Sequence, residues 1–310
     1  MNLGAFYVVI FALLVMLAAG YIARKTKIIN ESTSKAMSTI VIKVGQPFMI
    51  IGAMLSVEYT PERLKNGLIT LGLGIVFHAI VAVIAYFAVF KFKSVDQRKI
   101  SEFAIIFGNC GFVGFPLVES ALGAQGLFYA SFFMVSFNLF MWTWGIILLA
   151  RQRNDIKVNP KTLILNFGTL PCLFGILLFV LQVQMPDFLT TAISYLGGLC
   201  TPLSMVITGS LIATVSLKDL FCDLKIYYVC LFRLIIAPIV ITVLTWLFGF
   251  DTSYIFFMAI VFAMPTATST VMFGELYEIE KKRAAVCAGM SSILSMATMP
   301  LFMSVLDKIF

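Results

Sequence analysis

Ten apolar segments of about 20 residues fill this chain, and 20 residues is the length of helix that crosses a hydrocarbon core about 30 Å thick. They fall at 5–23, 34–56, 67–90, 101–122, 127–150, 161–182, 189–214, 225–248, 253–277 and 285–306 of the 310 residues. Hydrophobic residues make up 61% of the sequence and charged residues 12%, half the charge of a typical soluble domain. The expected fold class is therefore an all-α integral membrane protein. A net charge of +7 on such a chain marks cytoplasmic loops and not a nucleic-acid-binding surface.

The loops test the division. Loops 24–33, 91–100, 151–160, 215–224 and 278–284, with Lys35, Lys161 and Lys225 at their edges, hold 17 of the 22 Lys and Arg residues. The alternate loops and the C-terminal tail hold only Arg63, Lys65 and Lys308; Lys43 and Arg233 lie inside spans. That bias assigns the basic loops to the cytoplasm and both termini to the extracytoplasmic side of a multi-pass cell-membrane protein. The first segment ends in small residues like a signal peptide, but its basic cluster (Arg24, Lys25, Lys27) follows the apolar run, so it reads as a retained span. The six cysteines and the single histidine form no metal-ligand or disulfide pattern, and no cofactor or metal is expected.

Five spans per half is an odd number, so two similar halves must insert in opposite orientations. Shifting residues 1–155 by 155 places every span on a span of residues 156–310, Pro47 on Pro202, His78 on Arg233 and Cys110 on Pro265. The last match pairs two helix-breaking stretches, GNCGFVGFP (Gly108 to Pro116) and AMPTATST (Ala263 to Thr270). Broken backbone at membrane depth is tolerated only where protein or a water-filled cavity satisfies its polar groups. Two interrupted helices in inverted halves are the best sequence-level pointer to a transporter's binding site. Their half-helix N-termini favour anions. Taken singly, each motif reads equally well as a packing kink of small residues.

The ten-span pattern, GNCGFVGFP in span four, AMPTATST in span nine and the NP-led sixth span VNPKTLILNFGTLPCLFGILL resemble the auxin efflux carrier family, in its bacterial organic-acid permease branch. The resemblance implies a scaffold part (residues 1–56 and 161–214) that also forms a homodimer. It further implies a moving transport part (67–150 and 225–306), with spans four and nine crossing. It implies small organic anions as substrates, carried by alternating access. The long central loop of the plant members is missing, so regulation through that loop is not carried over.

Candidate substrate-binding residues follow. Asn109 matches the family's asparagine and offers both donors and an acceptor; Gly108, Cys110 and Gly111 (with Gly114) let a ligand or the crossing helix approach the backbone. Pro265 frees a carbonyl, and Thr266 and Thr268, with Ser269 and Thr270, bond either a ligand or their own helix. Lys43 lies near the middle of span two, where a charge is costly. Thr39, Lys43 and Gln46 fall at i, i+4 and i+7 as one polar stripe, with Thr201 related to Gln46 by the offset. Arg233 is a candidate for anion contact or gating. His78 reads either as a proton relay or as a packed, hydrogen-bonded residue. Glu102, Glu119 and Glu275 lie toward span ends, so no midplane carboxylate is expected. The leading function is a secondary transporter of mono- or dicarboxylates. A passive anion channel is the alternative, and an enzyme lacks any nucleophile–base pair or metal set.

Overall fold

The computed structural model describes residues 3–151, 169–216 and 222–310, which are helical without a named strand. Seven helical stretches are long and apolar enough to cross a membrane: Gly4–Lys25, Glu31–Leu55, Pro61–Val89, Gly114–Ala150, Asp187–Ile212, Leu224–Leu247 and Lys281–Ile309. They match the expected spans one, two, three, five, seven, eight and ten. Shorter apolar helices, Thr169–Val180 and Thr252–Ala263, fall within the expected spans six and nine. The start of span six, residues 152–160, residues 217–221 and the side chain of Glu275 lie outside the described residues.

In chain order the elements are α1 (Leu3–Lys25), α2 (Glu31–Ile40), a π-helical turn (Val41–Gly45) and α3 (Gln46–Leu55). Next come α4 (Pro61–Val89), α5 (Val95–Ile106), α6 (Gly114–Phe140), a second π-helical turn (Met141–Gly145), α7 (Ile146–Ala150) and α8 (Thr169–Val180). Then follow α9 (Asp187–Gly198), α10 (Cys200–Ile212), α11 (Leu224–Leu231), a third π-helical turn (Phe232–Ile236) and α12 (Ala237–Leu247). The chain ends with α13 (Thr252–Ala263), α14 (Ser269–Leu276) and α15 (Lys281–Ile309). Expected span four is thus α5, a break, and the first turns of α6. Within α6, Gly123 has φ +64° and ψ −154°, a conformation open to glycine and unfavourable for L-residues, and it separates the half-helix from span five. Helix α5 begins earlier than the sequence reading has it. Ser94 caps it, its side chain accepting the Gln97 N–H, so six residues of the expected loop are helical.

Glycine sets the closest helix contacts. A Cβ on Gly20 would land on the Val206 backbone, and one on Gly209 on the Leu17 backbone, so α1 and α10 touch main chain to main chain. Such contacts give membrane helices the dispersion energy that a hydrophobic effect cannot supply within lipid. Contacts near the helix ends define two ends of the bundle. At one, Arg283 donates to Ser101 and Asp223 and lies over Phe92, as Lys225 does, while Arg151 lies over Tyr86. These residues come from four of the five basic loops or their margins. At the other end the Tyr7 and Ser304 hydroxyls pair, and Tyr254 donates to the Asn66 carbonyl.

Candidate functional site

The two breaks meet. Pro265 forces the preceding residue out of helical conformation, and Met264 is extended (φ −58°, ψ 145°) where α13 stops. Phe107 is extended (φ −99°, ψ 110°) where α5 stops. The extended segments run antiparallel and pair Gly108 with Thr266 in an isolated bridge. The Asn109 N–H donates to the Pro265 carbonyl at 2.7 Å, and the Ala267 N–H to the Phe107 carbonyl at 2.9 Å. Each break satisfies part of the other, as water-free surroundings require.

Side chains complete the crossing. Asn109, buried, donates from Nδ2 to the Thr268 hydroxyl at 3.3 Å. The Thr266 hydroxyl donates to the Ala104 carbonyl at 3.0 Å, and its N–H donates to Ser291 Oγ at 3.0 Å. Thr266 therefore braces the break, while Thr268 is half-buried and shared with Asn109. Cys110 Sγ lies 3.8 Å from Met134 Sδ. The Ser269 hydroxyl is buried with no hydrogen-bond partner among the described residues. The amide N–H groups of Phe112, Thr268 and Ser269 have no acceptor there either, whereas those of Cys110 and Gly111 lie against Cys110 Sγ. The first three sit where α6 and α14 begin, so the positive ends of two helices carry uncommitted donors.

The three glycines of the stretch differ. A Cβ on Gly108 would occupy the position of the Arg233 guanidinium, whereas Gly111 and Gly114 have ordinary contacts at 3.5 Å. Arg233 is buried in the third π-helical turn. Its Nε donates to the Met264 carbonyl at 2.8 Å, and its Nη1 to the carbonyls of Ile105 and Ile106 at 3.0 and 3.2 Å. The residue thus touches the crossing through main-chain oxygens.

The scaffold candidates divide. Gln46 is buried, but Lys43 and Thr39 are exposed. The π-helical turn between them adds a residue to the helical repeat, so the expected polar stripe does not stay on one face. Thr201 donates to the Phe112 carbonyl at 3.3 Å, and so does join the crossing from span seven. His78 lies behind it. Its Nδ1 bonds the Gly74 carbonyl at 2.6 Å, and the rings of Phe107, Phe133, Phe137, Phe140 and Phe262 surround it at 5.2–6.3 Å. That is the packed, hydrogen-bonded environment, a single carbonyl among phenyl rings. Glu102, expected in an interfacial position, is buried in α5.

Residues 5–303 match the family model described as membrane transport protein. The chain belongs to that family, which contains the auxin efflux carriers. It is a multi-pass membrane transporter and not an enzyme. It is 24% identical to an uncharacterized transporter of Methanocaldococcus jannaschii over 95% of this chain and 96% of the other. It is 21% identical to an uncharacterized transporter of Methanothermobacter thermautotrophicus over 96% and 97%. A Rhizobium meliloti protein named "Putative malonate transporter" is 21% identical over 84% and 83%.

Sequence reasoning missed the Ile105, Ile106 and Met264 carbonyls and Ser291. Carbonyls carry no sequence signal, and Ser291 sits among the small residues of α15, where a hydroxyl that receives a distant amide looks like any other.

Proposed function

We propose that this transporter moves small organic anions, mono- or dicarboxylates, across the cell membrane by alternating access at the crossing of spans four and nine. One observation carries the reading: two interrupted helices meet with three uncommitted amide donors at their N-terminal ends and no carboxylate among the residues that form the crossing. Such an arrangement favours a carboxylate over a neutral or cationic ligand. Asn109, Thr268 and Ser269 would orient it, and Lys43 would meet it from the scaffold side. The Rhizobium relative's name agrees with a carboxylate substrate.

The reading includes ten spans in two inverted five-helix repeats. Reciprocal contacts support the repeat. Gly20 packs on Val206, and Gly175 packs on Ile51 at 3.7 Å; a shift of 155 turns the first pair into the second. Gly45 and Cys200, themselves related by the shift, lie against each other, as residues near a pseudo-two-fold axis do. The clustering of basic loop residues at one bundle end supports both termini lying outside the cytoplasm. A homodimer through the scaffold helices completes the proposal.

Charge movement on a solid-supported membrane tests it. Pulses of mono- and dicarboxylates, malonate included, should give a saturable, acid-specific current in proteoliposomes that protein-free liposomes lack. A current that grows linearly with concentration would indicate a pore. No response to any acid, with no binding in a parallel thermal-shift panel, would overturn the substrate class.

A further inference from the structure

Arg233 is the largest fully buried side chain among the described residues, at 1% exposure. No carboxylate pairs with it there. Its counter-charge is instead the Ile105, Ile106 and Met264 carbonyls. These carbonyls end α5 and α13. Each helix C-terminus carries a partial negative charge of about half an electron, and each N-terminus the matching positive charge. A crossing of two interrupted helices brings two ends of each sign to one depth, where they largely cancel. An unmodified crossing thus favours neither anions nor cations strongly.

We infer that Arg233 gives the crossing its preference for anions from behind. The guanidinium neutralises both C-terminal ends, leaving the N-terminal ends of α6 and α14 as the net field that a carried anion meets. Arg233 is a positioning residue: it acts through the backbone and makes no contact with the cargo. The fork geometry suits this task, because Nε and Nη1 reach carbonyls from two separate chain segments at once, which a lysine ammonium does less well. Gly108 is the matching half of the device, since any Cβ there would displace the guanidinium. The inference rests on the proposed anion transport.

The test uses full-length protein in proteoliposomes and in detergent. For the carboxylate giving the largest wild-type current, Arg233→Gln should raise KM roughly tenfold with a smaller change in maximal rate. In Arg233→Ala, millimolar guanidinium chloride should restore KM toward the wild-type value, and it should leave the wild type unchanged. Wild-type affinity in folded Arg233→Gln and Arg233→Ala would overturn the inference. If no carboxylate moves in the wild type, the transport reading fails on its own account. Thermal unfolding then decides this one: guanidinium should raise the midpoint of Arg233→Ala but not of the wild type, and equal responses would overturn it. If the Ala and Gln variants do not fold, Arg233→Lys with Gly108→Ala should unfold at a higher temperature than Gly108→Ala alone. No such recovery counts against the pairing.

Discussion

The crossing of the expected spans four and nine and the contact between the expected spans two and seven both interrupt apolar helices, and they repair the damage by different means. Spans four and nine lose helical structure outright, and their free groups are met by each other's backbone, by Thr266 and by Arg233. Span two only widens into a π-helical turn at Val41–Gly45, which keeps a helical hydrogen-bond pattern, and span seven relaxes at Leu199 between α9 and α10. What joins the latter pair is glycine: Gly45 against Cys200, Gly197 against the Met49 backbone. Repair by long-range polar partners leaves donors uncommitted at helix ends, where a ligand can take them. Repair within one helix, sealed by close packing, leaves few. On the proposed function, the difference separates a surface for binding from a surface for support.

Substitution should expose that division. The largest effect falls on Gly209→Val in the support region, where the added side chain meets the Leu17 backbone. Overpacking of that kind costs about 3 kcal/mol or more, and detergent-extracted protein should be largely aggregated on size-exclusion chromatography. Asn109→Ala should instead leave a folded protein whose unfolding temperature drops by only a few degrees. Its carboxylate affinity should fall roughly tenfold or more, because a buried donor to the ligand is gone; unchanged affinity would remove Asn109 from the site. Lys43→Ala should weaken affinity severalfold with only a small change in unfolding temperature, since the side chain is exposed. The smallest effect is expected for His78→Phe. It keeps the aromatic packing and loses one bond to Gly74, so stability should drop by about 1 kcal/mol while the pH dependence of transport stays that of the wild type. A flattened pH profile would favour the relay reading over the packed one.

Apolar length, loop charge and the two Gly/Pro-rich breaks were legible because each is a local property of the sequence that the membrane imposes directly. The early start of α5 was legible too: Ser94 and Gln97 stand at capping-box spacing, a signal lost beside the stronger change in hydropathy near residue 101. Arg233 was the harder case. Its depth in span eight was plain, but its partners lie 31, 127 and 128 residues away and are carbonyls, which every residue has. The π-helical turn at Val41–Gly45 defeated the polar stripe for a related reason. An inserted residue changes which side chains share a face, and it has no composition of its own. Gly108 was singled out as a close-approach glycine, and what approaches it turns out to be a guanidinium.

The Thr201 hydroxyl, donated to the Phe112 carbonyl across the boundary between the proposed scaffold and transport parts, has a kinetic consequence on the proposed mechanism. If those two parts slide past one another during transport, the bond would exist in one orientation and be absent in the other. A bond worth about 1 kcal/mol shifts the time spent facing the two sides of the membrane by roughly fivefold. Its removal would alter which side the empty carrier waits on, and so the concentration at which each compartment half-saturates it, with the binding pocket itself untouched.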